Sequence, residues 1–299
     1  MIKIESVSKS FGDILANDNI SLIIEESQIV GLIGPDGAGK STLMRQLCSL
    51  ISPDLGHIEI DGLDTVKSQR EVRTLVGYMP QRFSLYPDLT VEQNILFFAD
   101  LFDVPIKERK DKLEKLYKFS NLKAFSKRQA GKLSGGMKQK LALSCNLIHT
   151  PKYLFLDEPT FGVDPVSRQE FWELIFQLRD EGITVFVSTP YLDEASVFDK
   201  LALIFNGRLI AYQQPSAILA AFPYQIFVLQ STHYDYFAQM ANVVYLHLFN
   251  KNINIAFSTE PSEDQWQEWL DKRIILSYEK KKTTLEDVFL LQSKHNVEL

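Results

Sequence analysis

The chain has 299 residues, with 38 acidic and 32 basic side chains for a formal net charge of −6, and it is 45% hydrophobic and 23% charged. That length can bury a sizeable core, as one large domain with an appendage or as two domains, and the composition is that of a soluble globular protein. The acidic balance gives no basic footprint for nucleic acid, no run of 18 apolar residues is present to span a bilayer, and residues 1–5 lack the apolar core of a signal peptide.

Residues 2–7 and 20–25 alternate in polarity and are separated by Phe11-Gly12-Asp13 and Asn17-Asp18-Asn19, which predicts a small antiparallel β layer. Phe11, an aromatic in a turn, either stacks on a base or packs beside the turn. Residues 29–33 are aliphatic and β-branched, as in a buried strand, and residues 43–47 favour helix. Between them Gly34-Pro35-Asp36-Gly37-Ala38-Gly39-Lys40-Ser41-Thr42 fits G-x-x-x-x-G-K-[ST] without a mismatch. Glycines in a strand-to-helix turn let backbone N–H groups wrap a phosphate chain, and the helix that follows presents its positive end to the anion. Lys40 then reaches the β- and γ-phosphates and the Ser41 hydroxyl ligates Mg²⁺, so the motif implies ATP or GTP binding.

Cys48 and Cys145 each lie in an apolar, helix-like context with no metal-spaced partner, and read as buried reduced thiols. His57, beside a turn glycine, reads as an exposed strand residue. Residues 75–81 form a short apolar strand ending in Gln81. Residues 90–149 carry helical periodicity and predict an α-helical insertion. It closes on Leu133-Ser134-Gly135-Gly136-Met137-Lys138-Gln139, with Ser134 as a helix N-cap and two glycines that admit a ligand to the backbone.

Residues 153–156 are a buried strand running into Asp157-Glu158, where Asp157 supports Mg²⁺ and Glu158, on the opposite side by strand alternation, polarises a water. Gly162-Val163-Asp164-Pro165 leads into a helix over 166–179. Residues 184–188 are a further apolar strand, after which Thr189 is placed as N-cap and Pro190 as the first helical residue.

With these residues in hand the chain resembles the ATP-binding subunits of ABC transporters over about residues 1–215. Residues 133–139 look like the family's LSGGQ signature, which other phosphate-loop ATPases do not share, with Met137 at the usual glutamine position. On the family pattern Phe11 matches the adenine-stacking aromatic, Gln81 the glutamine that senses Mg²⁺ and the transmembrane partner, Glu158 the catalytic base and Asp164 the D-loop aspartate. Gly-Pro-Asp-Gly-Ala-Gly-Lys, Met-Pro-Gln-Arg-Phe-Ser-Leu-Tyr and Gly-Met-Lys-Gln-Lys look like the YbhF-type drug and antibiotic exporters of the ABC-2 permease group. One departure stands out: Pro190 occupies the position of the family's switch histidine and offers no side-chain donor to a γ-phosphate.

The fold expected is α/β, a P-loop NTPase core with an antiparallel β layer, an α-helical insertion at about 82–150 and a C-terminal α+β module. The division expected is an ATPase domain over 1–215 and an accessory domain over 216–299. In the latter the order β-α-β-β-α-β suggests a ferredoxin-like layer, with strands at 224–229, 243–248, 252–257 and 274–278. Trp266 and Trp269 read as packing, Lys280 to Lys282 as a solvated turn, and residues 283–290 resemble the closing helix of drug-exporter ATPases. The resemblance implies a cytoplasmic ATPase, peripheral on the inner face of the cell membrane. Its partners would be a permease, contacted through Phe83, Leu85 and Tyr86, and a second cassette, the same or different. Two cassettes would sandwich ATP and Mg²⁺ between Gly34 to Thr42 of one copy and Ser134, Gly135 and Gly136 of the other. Glu158, Lys40 and Gln81 would carry catalysis, and Ser41, Gln81 and Asp157 the metal. The alternatives are a weakly hydrolysing subunit paired with an active cassette and, further off, a soluble ABC ATPase acting on ribosomes or nucleic acid.

Overall fold

The computed structural model describes residues 1–81 and 85–295. The chain divides into two compact units, Met1–Gln214 and Pro215–Leu299.

In the first unit, β1 (Ile2–Phe11), β2 (Ile14–Ile24), β4 (Leu55–Ile60) and β5 (Leu63–Asp64) make a four-stranded sheet in the order β2-β1-β4-β5, antiparallel throughout. Asn17-Asp18-Asn19 lies inside β2 rather than between strands. Asn19 takes a left-handed φ of 52° where the β1–β2 register shifts, and the Asn17 side chain turns inward to other partners. Such polar residues signal turns only when the sheet does not use them.

A second sheet, in the order β10-β9-β3-β8-β7-β6, is built from β3 (Ile29–Ile33), β6 (Val76–Met79), β7 (Tyr153–Asp157), β8 (Thr184–Thr189), β9 (Lys200–Phe205) and β10 (Arg208–Gln213). All neighbours are parallel except β10, which folds back on β9. Every residue of β3, β7 and β8 is buried, which is why these strands read as continuous apolar runs. The helix α1 (Lys40–Leu47) packs Leu43, Met44 and Leu47 into a core shared with Ile2, Ile4, Ile20, Ile24 and Ile58 of the first sheet and Val30, Leu32, Phe155 and Phe186 of the second. Burying each such side chain contributes about 1.5–3 kcal/mol against the entropy of ordering it. Cys48 and Cys145 are free and buried, and His57 is exposed on β4 beside Glu5.

The helices α2 (Gln69–Leu75), α3 (Val91–Leu101), α4 (Ile106–Ser120), α5 (Gly135–Leu147) and α6 (Pro165–Asp180) complete the unit. A capping box at Thr90 and Gln93 starts α3, Ser134 Oγ accepts from Met137 N to start α5, and Asp164 with Pro165 starts α6. No α-helix follows β8 directly. Thr189 ends the strand, Tyr191 caps a 3-10 turn over Leu192–Val197, and Pro190 precedes it. The expected N-cap hydroxyl is spent on a tighter local turn, in which Thr189 Oγ1 accepts from Tyr191 N at 3.1 Å.

The second unit contains α7 (Pro215–Ala220), β11 (Ile226–Gln230), α8 (Tyr234–Ala238), β12 (Val243–Phe249), β13 (Asn252–Phe257), α9 (Glu263–Asp271), β14 (Ser277–Lys281) and α10 (Leu285–His295). Its sheet runs β12-β13-β11-β14 with antiparallel neighbours, the strand order of a ferredoxin-like layer. Asn250 and Lys251 both take positive φ, as a two-residue hairpin turn between β12 and β13 requires. Trp266 and Trp269 are buried against Phe227, Phe237 and Phe257. The last strand begins three residues later than the sequence suggests, because Ile274 and Ile275 close the end of α9 onto Trp269. Lys280 and Lys281 are therefore strand residues, and Lys281 Nζ pairs with the buried Asp287 at 3.1 Å.

Candidate functional site

Four parallel strands deliver their carboxyl ends to one edge of the second sheet, the edge where open α/β sheets place ligands. There β3 leads into Gly34, β6 into Pro80 and Gln81, β7 into Glu158, and β8 into Pro190. A cleft of about 560 Å³ opens at that edge, lined by Asp36 through Thr42, Gln81, Glu158, Ile14, Leu15, Ala16, Phe161 and Asn206.

The loop needs its glycines for different reasons. Gly39 has φ +98°, and a Cβ there would sit 2.1 Å from Ala16 O; a Cβ on Gly34 would sit 2.3 Å from Ile204 O. Gly37, at φ +79°, would meet nothing within 4 Å, so its side of the loop faces open space. Asn17 Nδ2 donates to Gly39 O at 3.1 Å and Gln46 Nε2 donates to Asn17 Oδ1 at 2.8 Å, a buried brace beneath the loop. Asn17 and Gln46 were not legible as site residues, since nothing in their spacing ties them to the glycines. The first turn of α1 leaves the N–H groups of Lys40, Ser41 and Thr42 without intrahelical partners at the cleft floor.

Lys40 is only 4% exposed. Its Nζ donates to Gly34 O at 2.9 Å and Pro35 O at 3.0 Å, and lies 3.5 Å from Glu158 Oε1. Gln81 Nε2 donates to Glu158 Oε2 at 2.6 Å. Lys40, Gln81 and Glu158 thus meet at one point. Removing one member of such a buried ion pair leaves the other uncompensated, at a cost of about 3–5 kcal/mol.

Strand alternation does not set the direction of Glu158. The residue lies one past the end of β7 with a left-handed φ of 50°, its N–H accepted by Ser188 O at 3.1 Å and Ser188 Oγ at 3.0 Å. Ser188 Oγ donates in turn to the Asp157 carboxylate, so this one serine holds both acids. Asp157 is buried. Mg²⁺ takes hard oxygen ligands, usually one or two from protein with the rest from water and phosphate, and the Ser41 hydroxyl with the Asp157 carboxylate fits that donor set.

Several predicted residues lie apart from this point. Phe11 is half exposed at the tip of β1, with Lys9 Nζ 5.6 Å from its ring centroid; its cross-strand partner Ile14, not Phe11, lines the cleft. Gly34 and Pro35 contribute their carbonyls to Lys40 from below. Ser134, Gly135 and Gly136 do not line the phosphate-loop cleft of their own chain. Gly135 instead borders a second cleft of about 250 Å³ that shares Gln81, Glu158 and Phe161 with the first. A Cβ on Gly136 would stand 2.5 Å from Ser167, so that glycine serves the packing of α5 on α6, while Gly135 is open. Asp164 caps α6, its carboxylate accepting from Ser167 N at 2.9 Å.

Next to Pro190, two polar groups at the end of β8 and just after it are already engaged. The Thr189 hydroxyl, fully buried, donates to Glu194 Oε2 at 2.7 Å; Pro190 has no N–H; Tyr191 N is spent on Thr189. Of the apolar residues expected to contact a partner, Phe83 lies outside the described residues and Leu85 is buried. Tyr86 is exposed and packs edge-on against Phe97 at 4.6 Å, with Leu101 and Ile106 also exposed. A roomier cleft of about 800 Å³, bordered by Lys112, Lys115 and Lys118, contains none of the predicted nucleotide or metal residues.

A family model described as ABC transporter matches residues 17–161. The probable multidrug ABC transporter ATP-binding protein YbhF of Escherichia coli K12 is 45% identical over 210 residues, 70% of this chain but 36% of that protein, so the chain spans little more than a third of that relative's length. The Nod factor export ATP-binding protein I of Burkholderia lata is 36% identical over 219 residues, 73% of this chain and 72% of that one. Among solved structures, cbiO1 from Clostridium perfringens, described as part of the ABC transporter complex cbiONQ, superposes with a TM-score of 0.68 at 26% identity, covering 74% of this chain and 90% of that one. The dimeric post-hydrolysis cassette MJ0796 bound to ADP and Pi superposes with a TM-score of 0.65 at 26% identity, covering 72% and 98%.

Proposed function

The chain belongs to the ABC transporter family, and from that premise we propose that it is the ATP-binding subunit of an exporter, which couples ATP binding and hydrolysis to transport by a separate membrane permease. The observation that carries the reading is the meeting of Lys40, Gln81 and Glu158 at the mouth of a glycine loop on a helix N-terminus. Lys40 neutralises the phosphate chain, Glu158 takes a proton from the attacking water, and Gln81 orients Glu158. Ser41 and Asp157 would hold Mg²⁺ together with the phosphates, and the ion would supply Lewis-acid stabilisation of the developing charge.

Ser134 and Gly135 complete the site from a second copy or a related cassette; that they do not line the phosphate-loop cleft of their own chain supports this assignment. Among the described residues no helix is long and apolar enough to cross a membrane, and the exposed Tyr86, Phe97, Leu101 and Ile106 are the patch we assign to the permease. The named activities of the relatives, multidrug transport and Nod factor export, favour a drug-like or lipid-like cargo. Residues 1–215 are the ATPase domain in this reading and 216–299 an accessory one.

Because Pro190 has no side-chain donor and the Thr189 hydroxyl beside it is engaged with Glu194, turnover is expected to be slow. The test is ATP turnover of the purified chain beside two variants. Glu158→Gln keeps an acceptor for Lys40 and is expected to lower the rate by about 10²–10⁴, the usual worth of a general base, while retaining ATP and trapping a dimer. Pro190→His is expected to raise it by about 10-fold, less than a preorganised donor contributes elsewhere because the surrounding turn stays as it is. Wild-type turnover that survives Glu158→Gln would overturn the assignment of the base. Turnover seen only with Pro190→His would identify a degenerate cassette that depends on an active partner.

A further inference from the structure

We propose that Glu194 is a positioning residue for the ATPase reaction: its buried carboxylate ties the segment that follows Glu158 to the segment that carries Pro190 and holds the two in one fixed relation. The proposal rests on the ATPase reading above. Glu194 lies in the 3-10 turn Leu192–Val197 and is 5% exposed. Its Oε1 accepts from Thr160 Oγ1 at 2.8 Å and from Trp172 Nε1 at 3.4 Å, and its Oε2 accepts from Thr189 Oγ1 at 2.7 Å. Thr160, Thr189 and Trp172 are all buried as well. No cation pairs with the carboxylate among the described residues. A carboxylate held inside a protein by neutral donors gains little stability for the desolvation it incurs, but it fixes several donors in a single arrangement.

The places it joins give that arrangement its meaning. Thr160 stands two residues after Glu158, Thr189 is the last residue of β8, and β7 and β8 are neighbours with Asp157 opposite Ser188. Ser188 fixes the backbone of Glu158 from the strand side. The Glu194–Thr160 bond fixes the chain just downstream, and the turn closed by Phe161 N donating to Glu158 O at 3.2 Å lies between the two ties. The strained left-handed Glu158 is therefore clamped on both sides, and the downstream clamp is shared with the Pro190 segment through one side chain. Pro190 itself has no donor for a phosphate, and the bridge gives its segment an effect through position. Small displacements of such groups are costly in rate even when ground-state binding is untouched.

The experiment uses the full chain: steady-state ATP turnover and native-state amide exchange for wild type, Glu194→Ala, Glu194→Gln and the pair Thr160→Val with Thr189→Val. Expected for Glu194→Ala is a kcat lower by about 10-fold or more with KM for ATP changed by less than about two-fold, the pattern of lost transition-state geometry rather than lost binding. Glu194→Gln, which keeps volume and an oxygen acceptor, is expected to recover most of the rate. Exchange should rise together in residues 158–163 and 191–194 while β7 and β8 stay protected, and the double valine variant should reproduce that pattern. Glu194→Ala turnover equal to wild type per folded molecule, or exchange that rises in only one of the two segments, would overturn the proposal. If wild type does not hydrolyse ATP, the ATPase reading fails by itself, and coupled or uncoupled exchange of the two segments still decides whether the bridge exists.

Discussion

Gly37 and Gly39 of the phosphate loop take left-handed φ values of +79° and +98°, and Gly39 is pressed against the carbonyl of Ala16. Gly135 and Gly136 lie in the first turn of an ordinary α-helix; a Cβ on Gly136 would run into Ser167, and one on Gly135 would meet nothing within 4 Å. The two glycine-rich segments look alike as sequence but are made by different constraints. The first is complete in this chain: braced by Asn17 and Gln46, filled by Lys40 and facing Glu158. The second is a capped helix end whose open glycine has no counterpart in its own chain, which is the form expected of half a site.

The largest effect should come from breaking the complete half. Gly39→Ala puts a methyl at 2.1 Å from a backbone oxygen in a conformation that L side chains avoid, a strain of about 1–3 kcal/mol before any clash is relieved. ATP affinity, read by a fluorescent nucleotide, is expected to be lost, and the melting temperature to fall with it. Retention of wild-type affinity would show that the loop is not the rigid cradle described.

An intermediate effect comes from the far end of α5, the helix that begins with Gly135. His149 stacks on Phe102 at 3.8 Å and its Nε2 donates to Val76 O at 3.0 Å, and burial pushes the imidazole from the usual 6.5 down to about 4. The unfolded chain takes up this proton at the higher pH and the folded chain only at the lower. The stability involved is therefore fully present above pH 6.5 and lost as pH falls towards 4. It amounts to at most about 3 kcal/mol, at 1.36 kcal/mol per unit. Urea unfolding followed from pH 7 to pH 4 should show this fall, and His149→Gln should flatten that part of the profile. An unchanged slope in the variant would assign the acid sensitivity elsewhere.

The smallest effect is also the sharpest. A Cβ at Gly135 meets nothing within 4 Å, so Gly135→Asp should fold and bind ATP as a single copy like wild type. Turnover should nevertheless fall by about 10²-fold, the order of one lost electrostatic contact, with ATP-dependent dimerisation lost alongside. Full activity of this variant would remove Gly135 from the composite site.

Much of this was legible in the residues. The glycine loop, the buried β3, β7 and β8, the Ser134 cap and the strand order of the second unit follow from local pattern. Local pattern stops being informative where one residue departs from it for the sake of a distant one. Glu158 leaves the strand register by a left-handed turn that Ser188, 30 residues on, makes tolerable. Asn17 reads as a turn signal and is a buried strut. Thr189 reads as a helix cap, yet its hydroxyl goes to Glu194. In each case the partner that decides the conformation comes from another strand or turn, and no period or spacing rule connects them.

The burial of Cys48 and Cys145 makes a practical tool available. Burial pushes both thiols well above their ordinary range, with Asp157 adding to the effect on Cys48, so neither is a thiolate at neutral pH or open to a reagent. The chain as it stands should be silent to maleimides. A cysteine introduced at an exposed position outside the nucleotide cleft, such as Leu55 at the start of β4, would then be the first nucleophile a label meets. Spectroscopic rulers or bifunctional cross-linkers could report the approach of two copies during a nucleotide cycle, with the native sulfur atoms left in place.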